Sequence, residues 1–112
     1  MKQILFAGQA FLVGDEAATA LLQYAVALAD LGRAGTVDLS VVRGDNNSST
    51  RAYFLLASGS PLAVTAIDSQ LNEPDNDVAV QQIWRRTESL RMPRHIEGDS
   101  VENYVEFGSE AT

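Results

Sequence analysis

The sequence predicts an α+β fold: a small antiparallel or mixed sheet from two hairpins, packed by one long helix and a second helix, with a C-terminal tail. Three observations predict it. Apolar residues recur at helical spacing over 17–31 and again over 80–90. They alternate with polar residues over 37–41, and clusters of Gly, Asn and Ser punctuate the segments between. At 112 residues the chain has the length of one domain, read as a single domain over 1–93 and an acidic, flexible tail over 94–112.

Lys2 to Val13 is apolar and aromatic. It reads as one long strand or, preferably, as two strands folded about Ala7-Gly8-Gln9, since a central Gly weakens a strand but supplies a turn. Gly14-Asp15 opens a helix over 15–31, with Asp15 accepting hydrogen bonds from the first N–H groups and Glu16 facing the positive end of the dipole. Its stripe is Ala17, Leu21, Tyr24, Leu28 and Leu31, widened by Leu22, Val26 and Ala29, and Gly32 with Gly35 ends it.

Val37, Leu39 and Val41 alternate with polar neighbours as in a half-buried strand. A turn-rich run over 44–49 joins this strand to Ala52-Tyr53-Phe54-Leu55-Leu56-Ala57, whose continuous apolar character predicts a central strand. Residues 62–67, after Ser58-Gly59-Ser60-Pro61, fit a short strand or one to two helical turns. Pro74 stops any helix entering from 68–73, and Asp75 or Asn76 caps a helix over 76–91 with the stripe Val80, Ile83, Trp84, Thr87 and Leu90. The expected core is Phe6, Leu12, Leu21, Tyr24, Leu28, Val41, Phe54, Leu56 and Ile83.

Composition narrows the function classes. Eight basic against 15 acidic residues give a net charge of −7, which repels phosphate backbones and argues against nucleic acid. No apolar run approaches the roughly 20 residues that span a bilayer, so no membrane partner is expected and the location read is cytoplasmic. The absence of cysteine removes disulfides, thiolate chemistry and cysteine-ligated zinc.

Val13-Gly14-Asp15-Glu16-Ala17-Ala18, Leu21-Leu22-Gln23-Tyr24-Ala25 and Glu73-Pro74-Asp75-Asn76 form a set. Over about residues 1–91 it resembles a family of short uncharacterised proteins from high-GC Gram-positive bacteria. The resemblance implies a bacterial cytoplasmic setting, and the family lends no functional residue.

The chemistry-bearing residues make no catalytic constellation, and the expectation is that the protein is not an enzyme. His95 stands alone, without the Ser, Asp or second His of a triad or ligand set nearby. Asp68, Glu73, Asp75 and Asp77 crowd one loop, but a calcium loop counted from Asp75 meets Val80 where Gly is needed and Arg86 where Glu is needed. No metal is expected, and no cofactor, since there is neither a G-x-G-x-x-G nor a Walker motif. Ser48, Ser49, Ser58 and Ser60 are turn residues outside any nucleophile elbow.

The feature that departs from the acidic balance is Arg85, Arg86, Arg91 and Arg94 beside Trp84. It reads as a solvated helix end or as a partner surface, joined by Tyr104 and Phe107 from the sticky tail segment Val101-Glu102-Asn103-Tyr104-Val105-Glu106-Phe107. That segment is inert, docks as a linear motif, or adds a strand to a sheet edge of its own fold or a sister subunit. A sheet this small has open edges that dimerisation often covers. The function read is a non-enzymatic protein-interaction module or accessory subunit. The alternatives are a small-molecule-binding or catalytic domain with a scattered site and, more weakly, an acidic inhibitor of a basic protein.

Overall fold

The computed structural model describes residues 1–43 and 46–92. Along them run β1 (Lys2–Phe6), β2 (Gln9–Val13), α1 (Asp15–Asp30), β3 (Gly35–Arg43), β4 (Ser49–Leu56), β5 (Leu62–Ala66) and α2 (Asp77–Arg91). The strands make one sheet in the order β4-β3-β2-β1-β5, antiparallel at every step. The α+β expectation holds, as do both helices within one residue at each end.

Local chemistry sets each element. Ala7 and Gly8 take φ of 52° and 80°, the left-handed pair that a two-residue hairpin turn requires, so residues 2–13 are two strands. Residues 62–66 are a strand, paired along β1 from Lys2↔Ala66 to Phe6↔Leu62. Helix α1 ends where Gly32 turns left-handed at φ 62°, letting Arg33 N–H reach the Leu28 carbonyl and Gly32 N–H that of Ala29.

One cap differs from expectation, that of α1. Gly14, not Asp15, is the N-cap of α1. Asp15 is already helical, and its carboxylate is held by the N-terminal ammonium at 3.2 Å and Lys2 at 3.4 Å. At α2 the cap position falls to Asn76, but its side chain is engaged elsewhere; Asp75 accepts the Asp77 N–H at 3.1 Å instead.

Both helices pack on the face carrying Ile4, Val13, Val37, Leu39, Val41, Phe54 and Leu56, with α1 against β1, β3 and β5 and α2 against α1 and β3. In a flat sheet β1 and β4 would lie about 14 Å apart, three strand spacings. The Phe6 and Phe54 ring centroids are only 5.5 Å apart, and those of Phe11 and Phe54 5.4 Å. The sheet therefore curls, folding the β3–β4 ribbon toward the first hairpin.

The expected core residues are buried except Phe6, which is partly covered and packs edge-on to Phe54. Leu22, Val26, Ala29 and Leu31 are exposed, contrary to the α1 stripe expected of them. Alanines replace them: Ala18, Ala20 and Ala27 are buried, and their small size lets α1 approach its neighbours closely. No described helix is long and apolar enough to cross a membrane.

The largest correction concerns β4. Its apolar run predicted a central strand, yet it is an edge strand, paired only with β3 among the described residues. Phe54 and Leu56 face the core, while Tyr53 and Leu55 on the opposite face are 76% and 61% exposed. The run is apolar on both faces, although only one face is buried.

Candidate functional site

Strand β3 needs partners on both sides, and β2 supplies too few. Strand β2 stops at Val13, where Gly14 starts α1, so its pairing with β3 covers only Phe11↔Arg43 and Leu12↔Val42. Part of the remaining β3 edge, at Ser40 and Thr36, is served by side chains from the segment beyond β5. Asn76 accepts the Ser40 N–H and donates to the Ser40 carbonyl, both at 2.8 Å, as a neighbouring strand would. Arg86 donates to the Thr36 carbonyl at 2.9 Å. Between the two pins, α2 and β3 enclose a cleft of about 280 Å³ whose polar lining includes Asp38, Ser40, Arg51, Asn76, Gln82 and Arg86.

These bonds also fix which way the sheet backbone points. In an antiparallel pair, residues alternate between bonding the partner strand and facing away from it. Ser40 and Thr36 bond away from β4, so Asp38 between them faces away as well. Their register partners Arg51 (↔Ser40), Tyr53 (↔Asp38) and Leu55 (↔Thr36) must then direct N–H and C=O outward from the edge of β4. No described strand meets those groups.

The face above this edge carries Arg51, Tyr53 and Leu55. Arg51 is paired with Asp38 through Nη2 at 2.7 Å and Nε at 2.8 Å. The hydrogen bond to Asp38, followed by its charge, raises the already high pKa of Arg51. The surface is thus apolar, locally charge-balanced and bordered by an open row of backbone donors and acceptors, the features of a strand-docking edge.

The residues singled out from sequence are only partly brought together. Trp84 is half-buried and packs against the core cluster, as expected of a residue beside Ile83. Arg86 holds Thr36, Arg91 donates to Gln23 Oε1 at 2.8 Å across to α1, and Arg85 is exposed. Two of these arginines therefore join elements of the fold. Arg94, His95, Tyr104 and Phe107 lie outside the described residues, as does the tail over 94–112.

In the acidic loop, Asp75 caps α2 and the Glu73 carboxylate lies so close to Gly14 that a Cβ there would strike it. Among the described residues, no group of three or more His, Cys, Asp or Glu side chains could hold a metal. Sequence reasoning missed Tyr53 and Leu55 as surface residues. The available signal was their pairing with Asp38 and Thr36, polar residues that mark the solvent face of β3. No family model, curated protein or solved structure matches the chain.

Proposed function

We propose that this protein is a non-enzymatic protein-interaction module or accessory subunit of the cytoplasm, and that it engages its partner along the outer edge of β4. One observation carries the reading: an eight-residue edge strand with outward backbone groups and with Tyr53 and Leu55 exposed beside them. Monomeric proteins blunt such edges with prolines, lysines, bulges or very short strands. Strand β4 has no Pro or Lys, its one charged residue, Arg51, is paired with Asp38, and its register with β3 is unbroken from Gly35↔Leu56 to Val42↔Ser49.

The test is a photo-crosslinking amino acid placed at Leu55 in living cells, with exposed Thr19 on α1 as the control position. Discrete adducts at position 55 and none at 19 are expected. No adduct at 55, or the same pattern at both, overturns the reading.

A second reading, a small-molecule site, is favoured by the α2–β3 cleft, where the Asp38 backbone faces the same edge that Asn76 reads at Ser40. Its volume of about 280 Å³ lies at the small end of the range for ligand pockets, roughly 300–1,000 Å³. A carboxamide or carboxylate fragment that perturbs the Asp38 and Ser40 amide resonances would establish it. The relation to short proteins of high-GC Gram-positive bacteria rests on the sequence motifs alone.

A further inference from the structure

We infer that the partner at this edge is a second copy of the chain, joined β4 to β4 antiparallel about a two-fold axis at Tyr53. The inference rests on the reading of the β4 edge as the docking surface and names its occupant.

The backbone parity of β4 is what makes the strand self-complementary. Placing the axis at Tyr53 sets Tyr53 opposite its own copy and Arg51 opposite Leu55, all of them residues whose N–H and C=O point outward. Each such pair exchanges two hydrogen bonds, so 51↔55, 53↔53 and 55↔51 together form about six. The axis lies near the middle of Ser49–Leu56, so every residue from Thr50 to Leu56 finds an opposite number. An axis at Ala52 also bonds outward residues, 51↔53 and 49↔55, but sets Arg51 against Tyr53 and Ser49 against Leu55; one at Phe54 bonds 53↔55 but overlaps only Ala52 to Leu56. The Tyr53 axis joins the longer overlap to an aromatic pair on the seam.

Side chains agree with the backbone. On the exposed face the two Tyr53 rings would meet across the axis, with Leu55 of each copy against the stem of Arg51 of the other. Aromatic and aliphatic cross-strand pairs of this kind stabilise sheets. The strand's one charge, Arg51, is already balanced by Asp38 of its own chain, so no like charges are brought together at the seam. The opposite edge of the sheet offers less: β5 has five residues, follows Pro61, and carries only Ala63 and Thr65 on its exposed face.

Seven residues a side is well below the 20–30 of a standard interface, which makes this a weak, reversible dimer. The net charge of −7 on each chain opposes it at long range, so added salt should strengthen it by screening that repulsion. Docking of the chain's own acidic 94–112 segment against Arg51 would respond to salt in the opposite sense.

The natural absence of cysteine permits a register-specific test. Opposed residues of a hydrogen-bonded antiparallel pair have Cα atoms about 5.5 Å apart, within reach of a disulfide. In the full chain, Tyr53→Cys should oxidise to a covalent dimer at least about tenfold faster than Arg51→Cys or Leu55→Cys alone. An equimolar mixture of Arg51→Cys and Leu55→Cys should give the mixed dimer at a rate like that of Tyr53→Cys.

Equal rates at all three positions, or no dimer with native circular dichroism retained, overturn the inference. Dimers that form only after residues 94–112 are deleted also overturn it, because the tail then occupies the edge. Photo-adducts at Leu55 with other proteins, together with no Tyr53→Cys dimer, reject self-pairing but leave the docking surface standing. Absence of both rejects the surface itself.

Discussion

Replacing Asn76 by Ala removes both hydrogen bonds that stand in for a strand beside Ser40, each 2.8 Å long. Asn76 is 8% exposed and its bonds are partly buried, so the Ser40 N–H and C=O are left with few partners. An unsatisfied buried polar group costs about 1–3 kcal/mol. Water can enter from the adjoining cleft, which places each group near the low end and the total at about 2–3 kcal/mol. That is a large part of the roughly 5–15 kcal/mol that holds a domain of this size together.

Asn76→Asp sharpens the test, because its carboxylate still accepts from the Ser40 N–H but sets an oxygen against the Ser40 carbonyl. The Asp variant should be as unstable as the Ala variant at neutral pH and recover on acidification, when a protonated carboxyl can donate again. Urea unfolding measured at neutral and acidic pH reads both effects, with exposed Asn72→Ala as the control. A loss below about 0.5 kcal/mol for Asn76→Ala, or no recovery of Asn76→Asp in acid, would refute the reasoning.

Other substitutions test the local arguments. Ala7 sits at φ 52° in the hairpin turn, where a Cβ costs about 1–2 kcal/mol. Ala7→Gly should therefore stabilise by about 0.5–1 kcal/mol once the greater freedom of unfolded Gly is deducted, read as a raised melting temperature. A Cβ on Gly35 would lie 2.6 Å from the Tyr24 hydroxyl and 3.1 Å from Leu28 Cδ1, both on buried side chains of α1. Gly35→Ala should cost about 1–3 kcal/mol in chemical unfolding, whereas Gly14→Ala displaces only the end of the Glu73 side chain and should cost about 1 kcal/mol, chiefly because Gly outranks Ala at an N-cap.

The N-terminal ammonium, and after it Lys2, lowers the pKa of Asp15. A carboxylate depressed in the folded state stabilises above its unfolded value of about 3.9 and loses that contribution as pH falls through the lower folded value. Wild type should thus lose more stability than Asp15→Asn on acidification below about pH 4, and acid unfolding curves of the two should converge.

Both helices and most of the core could be read from sequence because their signals are local. Ala17, Leu21, Tyr24 and Leu28 mark one face of α1, and Ile83 and Thr87 mark the buried face of α2. The hairpin at Ala7-Gly8 was legible as the preferred of two readings, since the turn chemistry resides in the turn. Long-range relations were not. Nothing near Asn76 in the chain signals that its amide completes an edge at Ser40, 36 residues away. Leu22 and Val26 fit the α1 stripe by hydrophobicity, but small alanines won the inner positions because the second helix and the sheet approach closely there.

The exposed edge of β4 was missed for a related reason. A continuous apolar run has two causes, burial on both faces or an apolar exposed face, and composition does not separate them. Arg86 and Arg91, exposed cations of the surface expected beside Trp84, also bond within the fold, to Thr36 and Gln23, which the sequence does not signal.

Residue-resolved amide hydrogen exchange along β4 tests the central claim most directly, because it reports the backbone parity on which the docking edge depends. In dilute solution the N–H groups of Arg51, Tyr53 and Leu55 should exchange about a hundredfold faster than those of Ala52, Phe54 and Leu56, which are bonded to β3. The fast set should gain protection as protein concentration rises. Equal protection of the two sets at every concentration, or fast exchange in Ala52 and Phe54 instead, would contradict it.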